Sequence, residues 1–167
     1  MNSIQPLVYH RVVPDREHFH STYVVRASDF RKQVEYLVSH RYRAVTLDEL
    51  LTGADPANGH TEKRILLTFD DGYEDNDTHA FPVLREFGLP ALIFLVADFS
   101  RRTNWWDTPL GVPEARLLTP SQISRMAGNG IEFGSHTLTH RSLPGASEAE
   151  LKAEIEGSRS EIERVTG

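Results

Sequence analysis

Two short polar clusters in this 167-residue sequence carry side chains that could do chemistry together. The first, Thr-Phe-Asp-Asp-Gly at residues 68–72, directly follows an apolar run; the second, Gly-Ser-His-Thr-Leu-Thr-His at residues 134–140, also follows a predicted strand. In α/β folds, ligands gather at the carboxyl ends of strands. Histidines four residues apart face the same way in a helix and in an extended chain, so His136 and His140 could meet one ion in either conformation. Taken singly, each cluster also fits a polar turn or loop.

Considered together, the two clusters supply the parts of a hydrolytic metal site. Two imidazoles and one carboxylate form a facial set of ligands that leaves positions open for water and substrate on Zn²⁺ or a similar divalent ion. The sequence has no cysteine, so His, Asp and Glu are its strong side-chain ligands. A second carboxylate could take a proton from water whose pKa a zinc ion lowers to about 7. We therefore expect one of Asp70 and Asp71 to bind metal and the other to act as base, with Gly72 permitting the bend that brings both to one site.

Three further side chains are weaker candidates for binding substrate. His10 ends the first predicted strand and could line the same mouth, or be a hydrogen-bonded structural histidine. Trp105 and Trp106 could stack on sugar rings, or fasten their loop to the core. The pair His18 and His20 is predicted to lie in a surface loop.

The elements that must hold these clusters read as a series of βα units. Short apolar runs alternate with helical patterns along the chain, which is typical of a mainly parallel sheet covered by helices. Strands are predicted at residues 7–9, 43–45, 65–69, 91–96 and 131–134. A long loop at 98–118 and a surface loop at 55–59 are predicted from their Pro and Gly residues.

Local sequence signals predict where four of the helices begin. Three capping boxes are predicted, in which an N-cap hydroxyl and a side chain three residues later satisfy free backbone groups. They are Thr46 with Glu49, Thr119 with Gln122, and Ser147 with Glu150. Ser28 is predicted to cap the first helix. The predicted buried positions are Phe30, Val34, Leu37 and Val38 in the first helix, and Leu151, Ile155, Ile162 and Val165 in the last.

Composition and the length of the apolar runs argue against two classes of protein, those that bind nucleic acid and those that span a membrane. The 18 basic and 24 acidic residues give a net charge of −6, which argues against a nucleic-acid surface. The longest apolar run, residues 91–97, is far shorter than the roughly 20 residues of a membrane-spanning helix. The first residues lack a basic leader and a long apolar region, so a cytoplasmic protein is expected if Met1 is the true start.

The two clusters resemble the motifs of the polysaccharide deacetylase family, carbohydrate esterase family four, also known as the chitooligosaccharide deacetylase homology domain. Residues 68–72 are similar to the first motif and residues 136–140 to the second, with further similarity at 7–11, 80–84 and 89–95. The resemblance implies a deformed (β/α) barrel that removes N-acetyl groups from an N-acetylated polysaccharide or oligosaccharide with a divalent metal ion, most commonly Zn²⁺. It also implies that Asp71, His136 and His140 bind the metal and that Asp70 is the catalytic base.

The sequence departs from the family pattern after the second motif. An arginine that orients the base, an aromatic residue near the oxyanion and a histidine that protonates the leaving amine have no position in this chain. A (β/α) barrel usually needs about 200 residues or more, so residues 1–167 are expected to form the N-terminal portion of a single domain. That portion holds about five βα units and lacks the C-terminal strands, which leaves the sheet open at an edge.

Two alternatives to a carbohydrate N-deacetylase stay open at the level of sequence. One is a catalytically incomplete or non-enzymatic module that holds a glycan or a metal through the same residues. The other is a different hydrolase that uses the same ions.

Overall fold

A parallel β-sheet forms the centre of the structure, a computed structural model that describes residues 4–17, 21–53, 63–110 and 112–167. The strands of these residues are β1 Ile4–Tyr9, β2 Arg11–Val13, β3 Val24–Arg26, β4 Tyr42–Ala44, β5 Lys63–Phe69, β6 Ala91–Leu95 and β7 Ile131–Ser135. The main sheet has the order β1-β5-β6-β7, and β4 pairs with β5. Every pair in it is parallel, as the sequence predicts. The small parallel pair of β2 and β3 was not predicted.

The central strand β5 has the sequence of a strand covered on both faces. Its residues 65–69 are all buried, and they form a nearly continuous apolar run, as central parallel strands do. Phe69 at its end packs against the rings of Tyr9 and Phe30, with centroids 5.3 and 5.9 Å away. This packing anchors the carboxyl end of β5, from which the first motif continues.

Five α-helices join the strands of the described residues. They are α1 Ala27–Ser39, α2 Leu47–Thr52, α3 Phe81–Phe87, α4 Pro120–Ala127 and α5 Glu148–Thr166. A π-helical segment, Asn76–Ala80, runs directly into α3, and a 3₁₀ helix, Trp105–Leu110, interrupts the predicted long loop. All three predicted capping boxes are present, at the starts of α2, α4 and α5.

The start of α1 differs from the prediction. Its N-cap is Arg26, and Ser28 lies in the first turn, where its backbone N–H donates to Asp15 Oδ1 at 3.0 Å. The Asp15 carboxylate therefore replaces the predicted serine cap by accepting a free N–H from outside the helix. Val38, predicted to be buried, is 40% exposed, because the inward stripe ends at Leu37.

The inward face of α5 is also rotated from its predicted position. Ile155 is 56% exposed and Leu151 is only partly buried, whereas Glu154 and Ser158 are buried beside the predicted Ile162. The apolar period favoured Ile155, but polar contacts to the segment after β7 turn its neighbour Glu154 inward.

The sheet stays open among the described residues, as expected. The outer edges of β1 and β7 pair with no other described strand. The stretch after residue 98 folds back toward the first motif, because Leu117 bridges Tyr73, the residue that follows the motif. A second bridge, between Arg116 and Thr103, lies within the stretch itself. The predicted loop at 55–59 and the pair His18 and His20 lie outside the described residues. In the described part of the chain, no helix combines the length and apolar character needed to cross a membrane.

Candidate metal centre

The two motifs converge at the carboxyl edge of the sheet. Nε2 of His136 lies 3.4 Å and Nε2 of His140 lies 3.2 Å from Oδ1 of Asp71. One ligand atom from each of the three residues lies within 4.8 Å of the other two. The segments after β5 and β7 thus bring together the three side chains for which the family resemblance implies metal binding.

The chemistry of this cluster fits a divalent cation. Asp71 is 6% exposed, and its Oδ1 is buried without a hydrogen-bond partner although both imidazoles approach it. A buried carboxylate oxygen left in this way costs free energy unless a cation or donor compensates it. Two imidazole nitrogens and one carboxylate oxygen are a common ligand set for Zn²⁺ sites that keep a position open. Asp71, His136 and His140 are therefore the residues that could hold a metal here.

A sharp bend after β5 aims Asp71 at the imidazoles. Asp71 and Gly72 both have left-handed backbone conformations, with φ of 70° and 72°. The sequence predicted that Gly72 permits the bend, and the structure adds that Asp71 itself adopts it. A left-handed aspartate is uncommon but tolerated. The backbone N–H of Leu118 donates to Gly72 O at 2.8 Å and holds the bend against the loop that follows residue 98.

Residues 136–140 form a tight turn, here named the histidine loop, which is neither the helix nor the extended run considered from the sequence. Its start continues the sheet, because the His136 N–H donates to Leu95 O at 2.8 Å. Thr137 and His140 then adopt φ of 68° and 59°. The His140 N–H donates to Thr137 Oγ1 at 3.0 Å and closes the turn.

Asp70 faces a different neighbour from Asp71. Its backbone N–H donates to Tyr9 O at 2.9 Å, and its Oδ2 lies 3.8 Å from Nε2 of His10. Burial raises the pKa of the Asp70 carboxyl, although the imidazoles of His136 and His10 oppose the shift. The weak candidate His10 therefore lines the mouth beside Asp70, as the sequence suggested it could.

The candidate Trp106 contacts the centre directly. Its ring stacks on His140 with centroids 4.6 Å apart and planes 18° apart, and Trp105 packs edge-on against Trp106 at 4.8 Å. Of the two roles considered for these tryptophans, the contacts favour fastening the loop at 98–118 to the site. Burial by itself lowers the pKa of His140, but the adjacent Asp71 carboxylate outweighs it and raises that pKa above its ordinary value.

Sequence reasoning missed an anchor that holds His10 in place. Asp75 accepts from Arg11 Nε at 2.8 Å and from the Val12 N–H at 3.1 Å, and Asn76 Nδ2 donates to His10 O at 2.7 Å. Burial raises the pKa of Asp75 to about 6, even though the Arg11 guanidinium opposes the shift. Asp75 and Asn76 follow the first motif in the sequence, but only the fold brings them to the end of β1.

A second omission is Glu154 on α5. Its Oε2 accepts from the backbone N–H groups of Leu138 and Thr139 at 2.8 Å each. No local signal identifies it, because it lies between the apolar positions of a helix whose other glutamates are mostly exposed.

Comparisons with known proteins agree with the geometry of the site. The model of the family described as polysaccharide deacetylase matches residues 57–167. The YxkH protein of Bacillus subtilis (strain 168) is 30% identical over 135 residues, which cover 81% of this chain and 44% of the relative. The poly-β-1,6-N-acetyl-D-glucosamine N-deacetylase of Staphylococcus epidermidis is 30% identical over 117 residues, covering 69% of this chain and 37% of the relative.

A solved structure agrees over nearly the whole chain. IcaB from Ammonifex degensii superposes with a TM-score of 0.78 at 25% identity, covering 99% of this chain and 70% of that chain. The predicted fold class is thereby confirmed. The chain spans less than half the length of the two curated relatives named above. On the matched residues, the two motifs and the shared fold, this chain belongs to the polysaccharide deacetylase family.

Proposed function

We infer that this chain carries the catalytic centre of a metal-dependent hydrolase that removes N-acetyl groups from an N-acetylated polysaccharide or oligosaccharide. The observation that carries this proposal is the convergence of Asp71, His136 and His140. Asp70 precedes Asp71 in the chain and faces His10. The name of the Staphylococcus epidermidis relative, a poly-β-1,6-N-acetyl-D-glucosamine N-deacetylase, supports a polymer of N-acetylglucosamine as the substrate class.

In this proposal the two aspartates have different roles. Asp71 binds the cation together with His136 and His140, since its Oδ1 is the buried oxygen that faces both imidazoles. Two imidazole nitrogens and one carboxylate oxygen form a ligand set that Zn²⁺ accepts, and Zn²⁺ is the cation of this proposal. A divalent cation held there would polarise the acetamide carbonyl and lower the pKa of the attacking water.

Asp70 and His10 handle the protons of the reaction. Asp70 takes a proton from the attacking water, because its carboxylate stands beside the ligands without being one of them. The water oxygen ends in acetate as the amide C–N bond breaks, and the leaving nitrogen takes up a proton to become the free amine of the sugar. His10, 3.8 Å from Asp70, is the donor of that proton.

Release of acetate from acetylated chitooligosaccharide and from poly-β-1,6-N-acetylglucosamine tests the proposal. We expect the purified chain to release acetate with Zn²⁺ present, to stop when a chelator removes the metal, and to resume when Zn²⁺ is restored. Release that the chelator does not affect would contradict the metal-dependent mechanism. Zinc binding without any release would favour the non-catalytic binding module instead.

A further inference from the structure

We propose that Glu154 of α5 is a positioning residue of the metal site, which sets the spacing of the two histidine ligands by holding the backbone between them. The inference rests on the metal site of the proposed function. Glu154 is 5% exposed, and its Oε2 accepts the N–H groups of Leu138 and Thr139 at 2.8 Å each. Its Oε1 accepts the Thr139 hydroxyl at 2.5 Å. All three donors belong to the histidine loop.

The conformation of the histidine loop explains why it needs such a support. Thr137 and His140 are left-handed, which is a sparsely populated and strained backbone conformation for residues other than glycine. Such a turn persists only when contacts with the surrounding structure stabilise its conformation. The two N–H groups that Glu154 accepts lie between these strained residues, so the carboxylate fixes the peptide planes that separate His136 from His140.

Further contacts seat the same face of α5 against the loop. Ser135 Oγ, which accepts the Thr137 N–H at 3.1 Å, donates to Ser158 Oγ at 2.7 Å. Gly157 lies so near the loop that an added Cβ would stand 3.2 Å from Leu138 Cδ2. The helix therefore reaches both the start and the middle of the loop, with Glu154 at the middle.

The geometry of coordination makes this support matter for metal binding. Zinc bonds to nitrogen and oxygen are about 2 Å long, so small displacements of an imidazole weaken them. Residues that orient metal ligands through hydrogen bonds typically contribute about 10- to 100-fold in metal affinity. Glu154 acts one step further out than such a partner, because it orients the backbone that carries the ligands rather than the rings themselves.

Two substitutions at Glu154 separate positioning from simple charge. Glu154→Gln keeps the length of the side chain and an oxygen for both N–H groups, but it removes the negative charge. Glu154→Asp keeps the charge, but the side chain is about 1.5 Å shorter and no longer reaches the loop. Glu156→Gln is the control, since Glu156 lies on the same helix, is exposed and pairs only loosely with Lys152 at 3.8 Å.

The measurement is the dissociation constant of Zn²⁺ for the full chain, by competition with a chromophoric chelator, with circular dichroism confirming that each variant is folded. We expect Glu154→Asp to weaken zinc binding by about 10- to 100-fold and Glu154→Gln by a smaller factor. Glu156→Gln should stay within about twofold of the unsubstituted chain.

Equal zinc affinity in all four proteins would overturn the inference, as would tighter binding by Glu154→Asp than by Glu154→Gln. The latter result would assign the effect to charge. An unsubstituted chain that binds no zinc would instead contradict the proposed function, so the two failures are distinguishable.

Discussion

Asp70 and Asp71 are neighbours of the same chemical type in very different surroundings. Asp71 is buried with one oxygen toward two imidazoles, whereas Asp70 is about one-fifth exposed and faces His10. Because the chain bends at Asp71, the two carboxylates share one site without pointing the same way. This difference in surroundings is the physical basis for giving them different roles.

At this scale we expect substitutions to separate metal binding from proton transfer. His136→Ala should lose Zn²⁺, because two ligands remain where three are needed. Asp70→Asn should keep Zn²⁺ but lower acetate release by about 10²- to 10⁴-fold, which is the usual contribution of a general base. Metal content after dialysis and the rate of acetate release measure the two effects independently.

His10→Gln is a companion to the Asp70 variant. It should retain zinc and release acetate more slowly, since it removes the proposed proton donor without touching a ligand.

Equal loss of zinc from Asp70→Asn and His136→Ala would contradict the roles assigned to the two aspartates, because it would mean that Asp70 also binds the metal.

At the scale of elements, the site depends on tight turns at the ends of β5 and β7. Gly72 illustrates the constraint, because it combines φ of +72° with close approach to β6. A Cβ at residue 72 would lie 2.6 Å from Leu95 Cδ2, and Leu95 is only 2% exposed, so its methyl group has little free space. The glycine is therefore required twice, for its conformation and for its size.

Gly72→Ala compared with Gly88→Ala separates these two requirements. Gly88 has φ of +64° and nothing within 4 Å of an added Cβ, so its substitution carries the backbone strain of about 1–2 kcal/mol alone. Gly72→Ala should lose about 1–3 kcal/mol more through overpacking. Urea unfolding of both variants measures the difference in the free energy of unfolding. Equal decreases in the two variants would show that the Leu95 side chain moves aside at little cost.

At the scale of the whole molecule, the metal site joins stretches that are distant in sequence. Asp71 follows β5 in the middle of the sheet, and both histidines follow β7 at its edge. A cation bound by all three would therefore favour the folded chain over the unfolded one. Binding that requires the fold contributes about 2.7 kcal/mol when free ligand exceeds its dissociation constant 100-fold.

We accordingly expect Zn²⁺ at that excess to raise the melting temperature by about 5–10 °C, since 1 kcal/mol corresponds to about 2–4 °C in a domain of this size. Thermal unfolding followed by circular dichroism, with and without zinc, measures the shift. His136→Ala should show little of it. The same rise in that variant would mean that zinc stabilises the chain at another place.

The sequence by itself determined the parallel βα order and three of the helix starts. Each capping box is a reciprocal pair of bonds within one turn, and the apolar run at 65–69 already describes a strand buried on both faces. It also determined the two motifs, because their residue types and spacing are local properties of the chain.

Only the tertiary structure decided which aspartate faces the imidazoles, that His10 meets Asp70, that Trp106 covers His140 and that Glu154 rather than Ile155 turns inward. Each of these depends on contacts between segments far apart along the chain. Apolar periodicity ranks the faces of a helix by hydrophobicity alone, and so it misses a buried carboxylate whose partners are the backbone N–H groups of a distant turn.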